Sequence, residues 1–231
     1  MSSIAIITAR GGSKRIPKKN IKDFCGKPII AYSIEAALNA GIFDEVMVST
    51  DSEEIKEIAE KYGAVVPFMR SEETSNDYAT TNDVLNEVIN KYAQKSISFD
   101  TFCCLYPTAP FITTERLIEA HDLILKKVAD AVIPVVKFNY PPQRAYIKTE
   151  EGKIDFQYPE YSAARSQDLR PIYHDTGQFY FYRTSAFIQK KGILCDNTVP
   201  IVLSDLEVQD IDYIEDWEIA EIKYKMSRHS I

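Results

Sequence analysis

The feature that most constrains this chain is the alternation of short apolar runs with segments of helical period. Ile4-Ala5-Ile6-Ile7, Val46-Met47-Val48, Thr101-Phe102-Cys103-Cys104-Leu105 and Ala131-Val132-Ile133 read as strands buried on both faces. Between them, Ile30, Ile34, Ala37 and Leu38 share one helical face, with Pro28 placed for the first turn and Gly41 for the stop. Ile55, Ile58, Ala59 and Tyr62 repeat the pattern behind a Ser52 cap and ahead of Gly63, and Val84, Leu85, Val88, Ile89 and Tyr92 repeat it again. Val65-Val66 gives a further short strand, and Thr113 or Thr114 begins a helix through Leu117, Ile118, His121 and Leu125. A strand over 178–183, a short helix over 185–190 and a C-terminal helix over 213–225 complete the chain. This order predicts an α/β fold of three layers around a mostly parallel sheet.

Such sheets bind ligands beyond the carboxyl ends of their strands. Directly after the first run stands Ala9-Arg10-Gly11-Gly12-Ser13-Lys14-Arg15-Ile16-Pro17-Lys18-Lys19-Asn20. Its glycines free backbone amides to approach anionic oxygens, Ser13 adds a hydroxyl, and the arginines and lysines add charge that backbone dipoles cannot. It lacks the Gly-Lys-Ser/Thr of a Walker A loop and does not complete Gly-x-Gly-x-x-Gly, so a third kind of polyphosphate site is predicted. The net charge is -7, yet through Pro28 the chain carries seven basic residues and one acid, Asp23. A cationic loop on an acidic body suits a small polyanion and argues against general nucleic-acid binding.

Cys25, Cys103, Cys104 and Cys195 show no metal-binding spacing, which fits reduced structural thiols. There is no basic N-terminal segment leading into an apolar core and no run of membrane-spanning length, so a cytoplasmic protein with no membrane partner is expected. The 231 residues are read as one catalytic domain carrying an inserted arm at about 136–175. There the pattern changes to prolines at 141, 142, 159 and 171, many tyrosines and no amphipathic helix. A strand-rich arm with so little core of its own calls for cover by a second subunit.

Asp210-Ile211-Asp212 places two carboxylates on one side of an extended segment with Ile211 turned into the core. With no His or Cys nearby, such oxygens favour Mg²⁺, which keeps waters and bridges to phosphates. The alternative is that Asp212 caps the following helix and Asp210 is solvated. Asp51, before Ser52, reads first as a turn residue. Arg70 and Asp77 flank a polar loop at the expected mouth of the site; Arg70 reads either as a base or phosphate contact or as a surface arginine. His174 could shift a proton and Gln178 could fix a sugar or base through its amide. Arg144, Arg165 and Gln167 offer donors for a carboxylate, or else form exposed ion pairs on the arm. No ordering of Ser, His and Asp supports acyl transfer.

Several stretches, in this order, resemble one family across nearly the whole chain. They are Ala9-Arg10-Gly11-Gly12-Ser13-Lys14 with Lys19-Asn20, Val48-Ser49-Thr50-Asp51, Arg165-Ser166-Gln167-Asp168, Tyr173 to Tyr180, and Asp210-Ile211-Asp212 with Ala220-Glu221. The family is that of the cytidylyltransferases that activate nine-carbon keto-sugar acids. The resemblance implies a Rossmann-like nucleotidyltransferase fold and a homodimer whose arm reaches into the partner subunit's site. It further implies that Ala9, Arg10, Gly11, Gly12, Ser13, Lys14, Lys19 and Asn20 hold CTP, with Arg70 by the cytosine, Asp77 nearby, and Asp210 and Asp212 on Mg²⁺. Arg10, Lys14, Lys19 and the two aspartates would carry catalysis as the anomeric hydroxyl attacks the α-phosphorus. Where sialic-acid members read Gln-Pro-Thr-Ser-Pro-Leu-Arg, this chain has Tyr106-Pro107-Thr108-Ala109-Pro110-Phe111-Ile112. That departure makes Tyr106 and Thr108 acceptor-site candidates and favours pseudaminic acid over N-acetylneuraminic, legionaminic or 3-deoxy-octulosonic acid. A nucleotide-sensing protein of the same fold without catalysis is the reading from another class.

Overall fold

A computed structural model describes residues 1–190, 192 and 194–229. The first half of the chain forms β1 (Ser3–Thr8), β2 (Asp23–Phe24), β3 (Lys27–Pro28), α1 (Ile30–Ala40), β4 (Glu45–Ser49), α2 (Glu53–Lys61), α3 (Glu72–Ser75) and α4 (Thr81–Gln94). Next come β5 (Thr101–Leu105), α5 (Thr114–Leu125), β6 (Ala131–Lys137), β7 (Tyr146–Lys148), β8 (Ile154–Phe156) and β9 (Tyr173–Asp175). The chain closes with β10 (Phe179–Arg183), α6 (Thr184–Lys190), β11 (Thr198–Leu203) and α7 (Ile214–His229). The central sheet runs β11-β6-β10-β5-β1-β4, with β9 also on β6. β4, β1 and β5 are mutually parallel, as are β6 and β11, whereas β10 and β9 run against their neighbours.

Side chains alternate between two cores, as a strand buried on both faces requires. Ala5 and Ile7 of β1 pack with α1, α2 and α5 through Ile34, Ile55 and Leu117, while Ile4 and Ile6 pack with α4 and α6 through Leu85, Val88 and Phe187. Helices on both faces make the predicted three layers. The adjacent thiols of β5 follow the same rule: Cys103 joins one core and Cys104 the other, both unbridged. Burial pushes the Cys103 thiol well up and Cys104 up to about 12, so both stay protonated. Among the described residues, no helix is long and apolar enough to cross a membrane.

A third core fixes the segment before α7. Trp217 and Ile211 pack with Ile16, Phe24, Ile29 and Tyr32, and Phe24 meets Trp217 edge to face at 5.4 Å. Trp217→Ala is expected to cost about 3 kcal/mol or more in a urea melt, because the ring is fully buried among rigid neighbours. A loss below about 1 kcal/mol would show that this core does not hold α7.

Several sequence expectations need correction. Pro28 does not open α1: it pairs with Asp23 in the small β2–β3 hairpin, and the helix starts at Ile30. Leu38, Ile118 and Leu125 expose 42%, 39% and 41% of their surface, so the fully buried faces are narrower than the periodicity implies. Val65 makes a single bridge to Met47 rather than a strand. Pro200 interrupts the apolar run of β11 and hides it as a strand, yet as the edge strand it has a side on which a missing donor costs nothing. β6 likewise continues through Pro134 to Lys137. Residues 176–180 span the gap that only Ile133 and Pro134 span on β6, with Gly177 at φ 61°. Thr176 Oγ1 donates to the Pro134 carbonyl at 3.2 Å across this bulge. Residues 136–137 and 173–175 thus belong to the main sheet, and the short β7–β8 hairpin lies between them.

Candidate active site

The carboxyl ends of β1, β4, β5, β6 and β11 and the amino end of β10 meet at one edge, where the cationic loop begins. The Ala9 amide still donates to the Ser49 carbonyl at 2.9 Å, so the loop leaves the sheet only after it. The Gly11 amide donates to Asp51 Oδ1 at 2.7 Å, and a Cβ on Gly11 would lie 3.1 Å from Ser52 Cβ. Glycine therefore lets the loop lie down on the β4–α2 turn. Asp51 anchors it, while Ser52 Oγ caps α2 by accepting from the Ile55 amide at 3.4 Å. Gly12 is exposed and Ser13 half-buried; Asn20 Nδ2 donates to the Arg10 carbonyl at 2.8 Å and closes the loop on itself. Lys18, at φ 53°, turns outward to Glu54, and the left-handed step turns Lys19 inward.

Arg10 Nη1 donates to Asp77 Oδ1 at 2.9 Å and Lys14 also pairs with Asp77, whose carboxyl these bonds hold below its usual range. Arg70, in contrast to the surface reading, is buried: its Nη2 donates to the Ser49 carbonyl at 2.6 Å and its Nε to Ser49 Oγ at 3.1 Å. Burial lowers it to about 10, with Asp51 opposing the shift. It braces the end of β4 under the loop.

Lys19 Nζ donates to the Ile211 carbonyl at 2.5 Å and lies 3.7 Å from Asp212 Oδ1, and Arg15 Nη2 lies 2.7 Å from the same oxygen. Asp212 precedes α7 by two residues, and Asp216, in the first turn of the helix, accepts from the Asp212 and Tyr213 amides at 3.0 and 2.8 Å and ties that segment back onto it. Ile211 is buried, so both flanking carboxylates turn out toward the loop. Burial and then Asp212 raise the Asp210 carboxyl, while burial and the neighbouring Arg15 lower the Lys19 ammonium. Two close carboxylates, one of them half-buried, fit a hard divalent cation. Among the described residues no group of three or more His, Cys, Asp or Glu could hold an ion, so its other ligands would be waters and phosphate, as Mg²⁺ prefers.

Beside Asp210 opens a cleft of about 380 Å³ lined by Tyr106, Thr108, Asp175, Gly177 and Tyr180. Tyr106 and Thr108, the acceptor-site candidates, both line this cleft. His174 does not share it: its neighbours on β9 alternate faces, so Asp175 meets the cleft while the His174 ring lies against Phe138 at 4.6 Å. Gln178 is buried and its Nε2 donates to the Glu207 carbonyl at 2.5 Å, which ties the loop bearing Asp210 to the sheet. Arg144 reaches Ser166 Oγ at 3.4 Å, Arg165 pairs with Asp168 at 2.8 Å, and Gln167 is exposed; all three lie on the arm, apart from the cleft lining. Asp51 and Asp175 carry no assigned role in the sequence reading, the first standing as a turn residue and the second lying unmarked within Tyr173 to Tyr180.

Fold and loop together define a nucleotidyltransferase, and the chain belongs to the cytidylyltransferase family, whose model matches residues 4–223. A pseudaminic acid cytidylyltransferase of Campylobacter jejuni is 43% identical over 230 residues, covering 100% of this chain and 99% of that protein. A CMP-N,N'-diacetyllegionaminic acid synthase of Legionella pneumophila is 34% identical over 241 residues, covering 100% of both. A solved CMP:2-keto-3-deoxy-manno-octonic acid synthetase complexed with CTP superimposes with a TM-score of 0.68 at 19% identity, over 99% of this chain and 100% of that one. The last likeness is one of fold.

Proposed function

We propose that the protein transfers CMP from CTP to the anomeric hydroxyl of pseudaminic acid and releases pyrophosphate. The observation that carries this reading is Lys19 and Arg15 of the cationic loop meeting the Asp210-Ile211-Asp212 segment. It occurs in a chain 43% identical throughout to a pseudaminic acid cytidylyltransferase. Arg10, Lys14 and the loop amides bind the triphosphate, and Lys19 favours charge developing on the leaving pyrophosphate. Asp210 and Asp212 would hold Mg²⁺, which when bound neutralises phosphate charge and supports in-line displacement. The acceptor hydroxyl gives up its proton to solvent water and its oxygen forms the new bond to the α-phosphorus as the bond to pyrophosphate breaks, with no covalent enzyme intermediate.

The protein acts as a homodimer in this reading. Tyr146, Ile154 and Tyr140 expose 59%, 68% and 89% of their surface on the arm, an apolar face that a second copy would cover. Arg144, Arg165 and Gln167 would then meet the acceptor carboxylate in the neighbouring subunit's site. Unbridged cysteines accord with a reducing cytoplasm. The test is pyrophosphate release with CTP, Mg²⁺ and a panel of acids: pseudaminic, legionaminic, N-acetylneuraminic and 3-deoxy-octulosonic. Pseudaminic acid should give the highest kcat/KM. A higher value with another acid overturns the acceptor, and no release with any acid overturns the transfer.

A further inference from the structure

The cleft beside Asp210 is lined by a further carboxylate, that of Asp175. Asp175 Oδ2 accepts from the Tyr180 hydroxyl at 2.5 Å and Oδ1 from the Gly177 amide at 2.7 Å. Tyr180 in turn packs edge-on against Tyr106 at 5.6 Å, and the Tyr106 hydroxyl lies 3.1 Å from Thr81 Oγ1. Tyr180 is buried, and burial followed by its neighbours Tyr106 and Asp175 raises its phenol, so it remains a donor to Asp175. The carboxylate is therefore held at both oxygens in one orientation at the cleft wall, and each oxygen keeps a free lone pair. A group so fixed is an acceptor of hydrogen bonds and a source of negative charge.

We propose that Asp175 is a specificity-determining residue for the acceptor, taking a hydrogen bond from an acetamido N–H of the bound sugar acid. This rests on the acceptor reading above. The acceptor is itself an anion, so its carboxylate is repelled from Asp175 and must point elsewhere in the site, toward cationic groups. Repulsion at one end and a charge-assisted hydrogen bond at the other select one orientation of the sugar, which places a single hydroxyl against the α-phosphorus. The chemistry of the donor follows from the relatives: the Legionella synthase acts on an acid whose name carries two N-acetyl groups, each with one amide proton to give. Asp175 is exposed, so an acceptor that offers no donor there strips water from its free lone pairs without replacing those hydrogen bonds, which adds to the discrimination.

The experiment compares the protein with Asp175→Asn and Asp175→Glu, titrating acceptor and CTP separately by pyrophosphate release. Two acceptors are used: diacetamido pseudaminic acid and 3-deoxy-octulosonic acid, which has no acetamido group. Asp175→Asn should raise KM for the diacetamido acid about tenfold or more, leave KM for CTP within about twofold, and narrow the preference over 3-deoxy-octulosonic acid by a similar factor. Asp175→Glu, which keeps the charge, should recover part of the preference. Equal losses for both acids, or an equal rise in KM for CTP, would show a general structural or nucleotide role and overturn the proposal, as would an unchanged acceptor KM. Should Asp175→Asn unfold, Asp175→Ser, which also removes the charge, is measured in the same way: a preference ratio equal to that of the parent protein overturns the proposal. Failure of the parent protein to use any acid would instead sink the acceptor reading itself.

Discussion

Asp210→Asn should lower kcat about a thousandfold or more and, at the same time, raise the thermal midpoint at neutral pH. The first effect follows from removing one of two carboxylates proposed to hold the metal, whose charge stabilisation amounts to several kcal/mol. The second follows from the raised Asp210 carboxyl, which burial and the nearby Asp212 disfavour in its charged form. A carboxyl whose pKa is higher in the folded than in the unfolded state weakens the fold as pH rises through the unfolded value of about 4, and the penalty is complete above the folded value. Asparagine removes the penalty, so the variant's advantage should be present at pH 7 and vanish below about pH 4. Melting curves across pH, paired with pyrophosphate release, check both. Undiminished Mg²⁺-dependent turnover would remove Asp210 from the metal site, and a lower midpoint at pH 7 would contradict the electrostatic account.

Lys19→Ala should reduce kcat/KM for CTP by about 10²- to 10³-fold, the range for losing one preorganised charge at a developing anion. Lys19 is 17% exposed at its side chain and already meets the Ile211 carbonyl, so its ammonium is fixed before CTP arrives. Its desolvation is the main reason that its pKa is lowered, with Arg15 adding to the effect. The loss should appear in the CTP titration at saturating acceptor and persist at high Mg²⁺. An unaltered CTP dependence would count against the whole reading of the loop.

Much of this was legible in the sequence because the signals were local. The two-sided apolar runs located β1, β4, β5 and β6, although β4 lies at an edge of the sheet, and Ala9 to Asn20 marked by composition the cationic loop that leaves β1. Ile211, apolar between two aspartates, correctly indicated the side to which both carboxylates turn. Where reading failed, the deciding physics was non-local. His174 and Asp175 are adjacent, and a shift of one residue exchanges the faces of a strand, so only the pairing of β9 with β6 decides which one meets the cleft. Gln178 has the chemistry to hold a sugar, but the bulge buries it against Glu207. Arg70 defied the usual exposure of arginine because Ser49 offers both a carbonyl and a hydroxyl inside the fold. Pro200 hid β11, since a run cannot show by itself that it lies at an edge.

The central claim is that the anomeric oxygen of the sugar acid attacks the α-phosphorus of CTP. The most direct test supplies pseudaminic acid labelled with ¹⁸O at the anomeric hydroxyl, together with CTP and Mg²⁺, and weighs both products by mass spectrometry. The label should appear wholly in the CMP-sugar, in the oxygen bridging carbon and phosphorus, with none in pyrophosphate. Loss of the label from the CMP-sugar, or its appearance in pyrophosphate, would contradict the account.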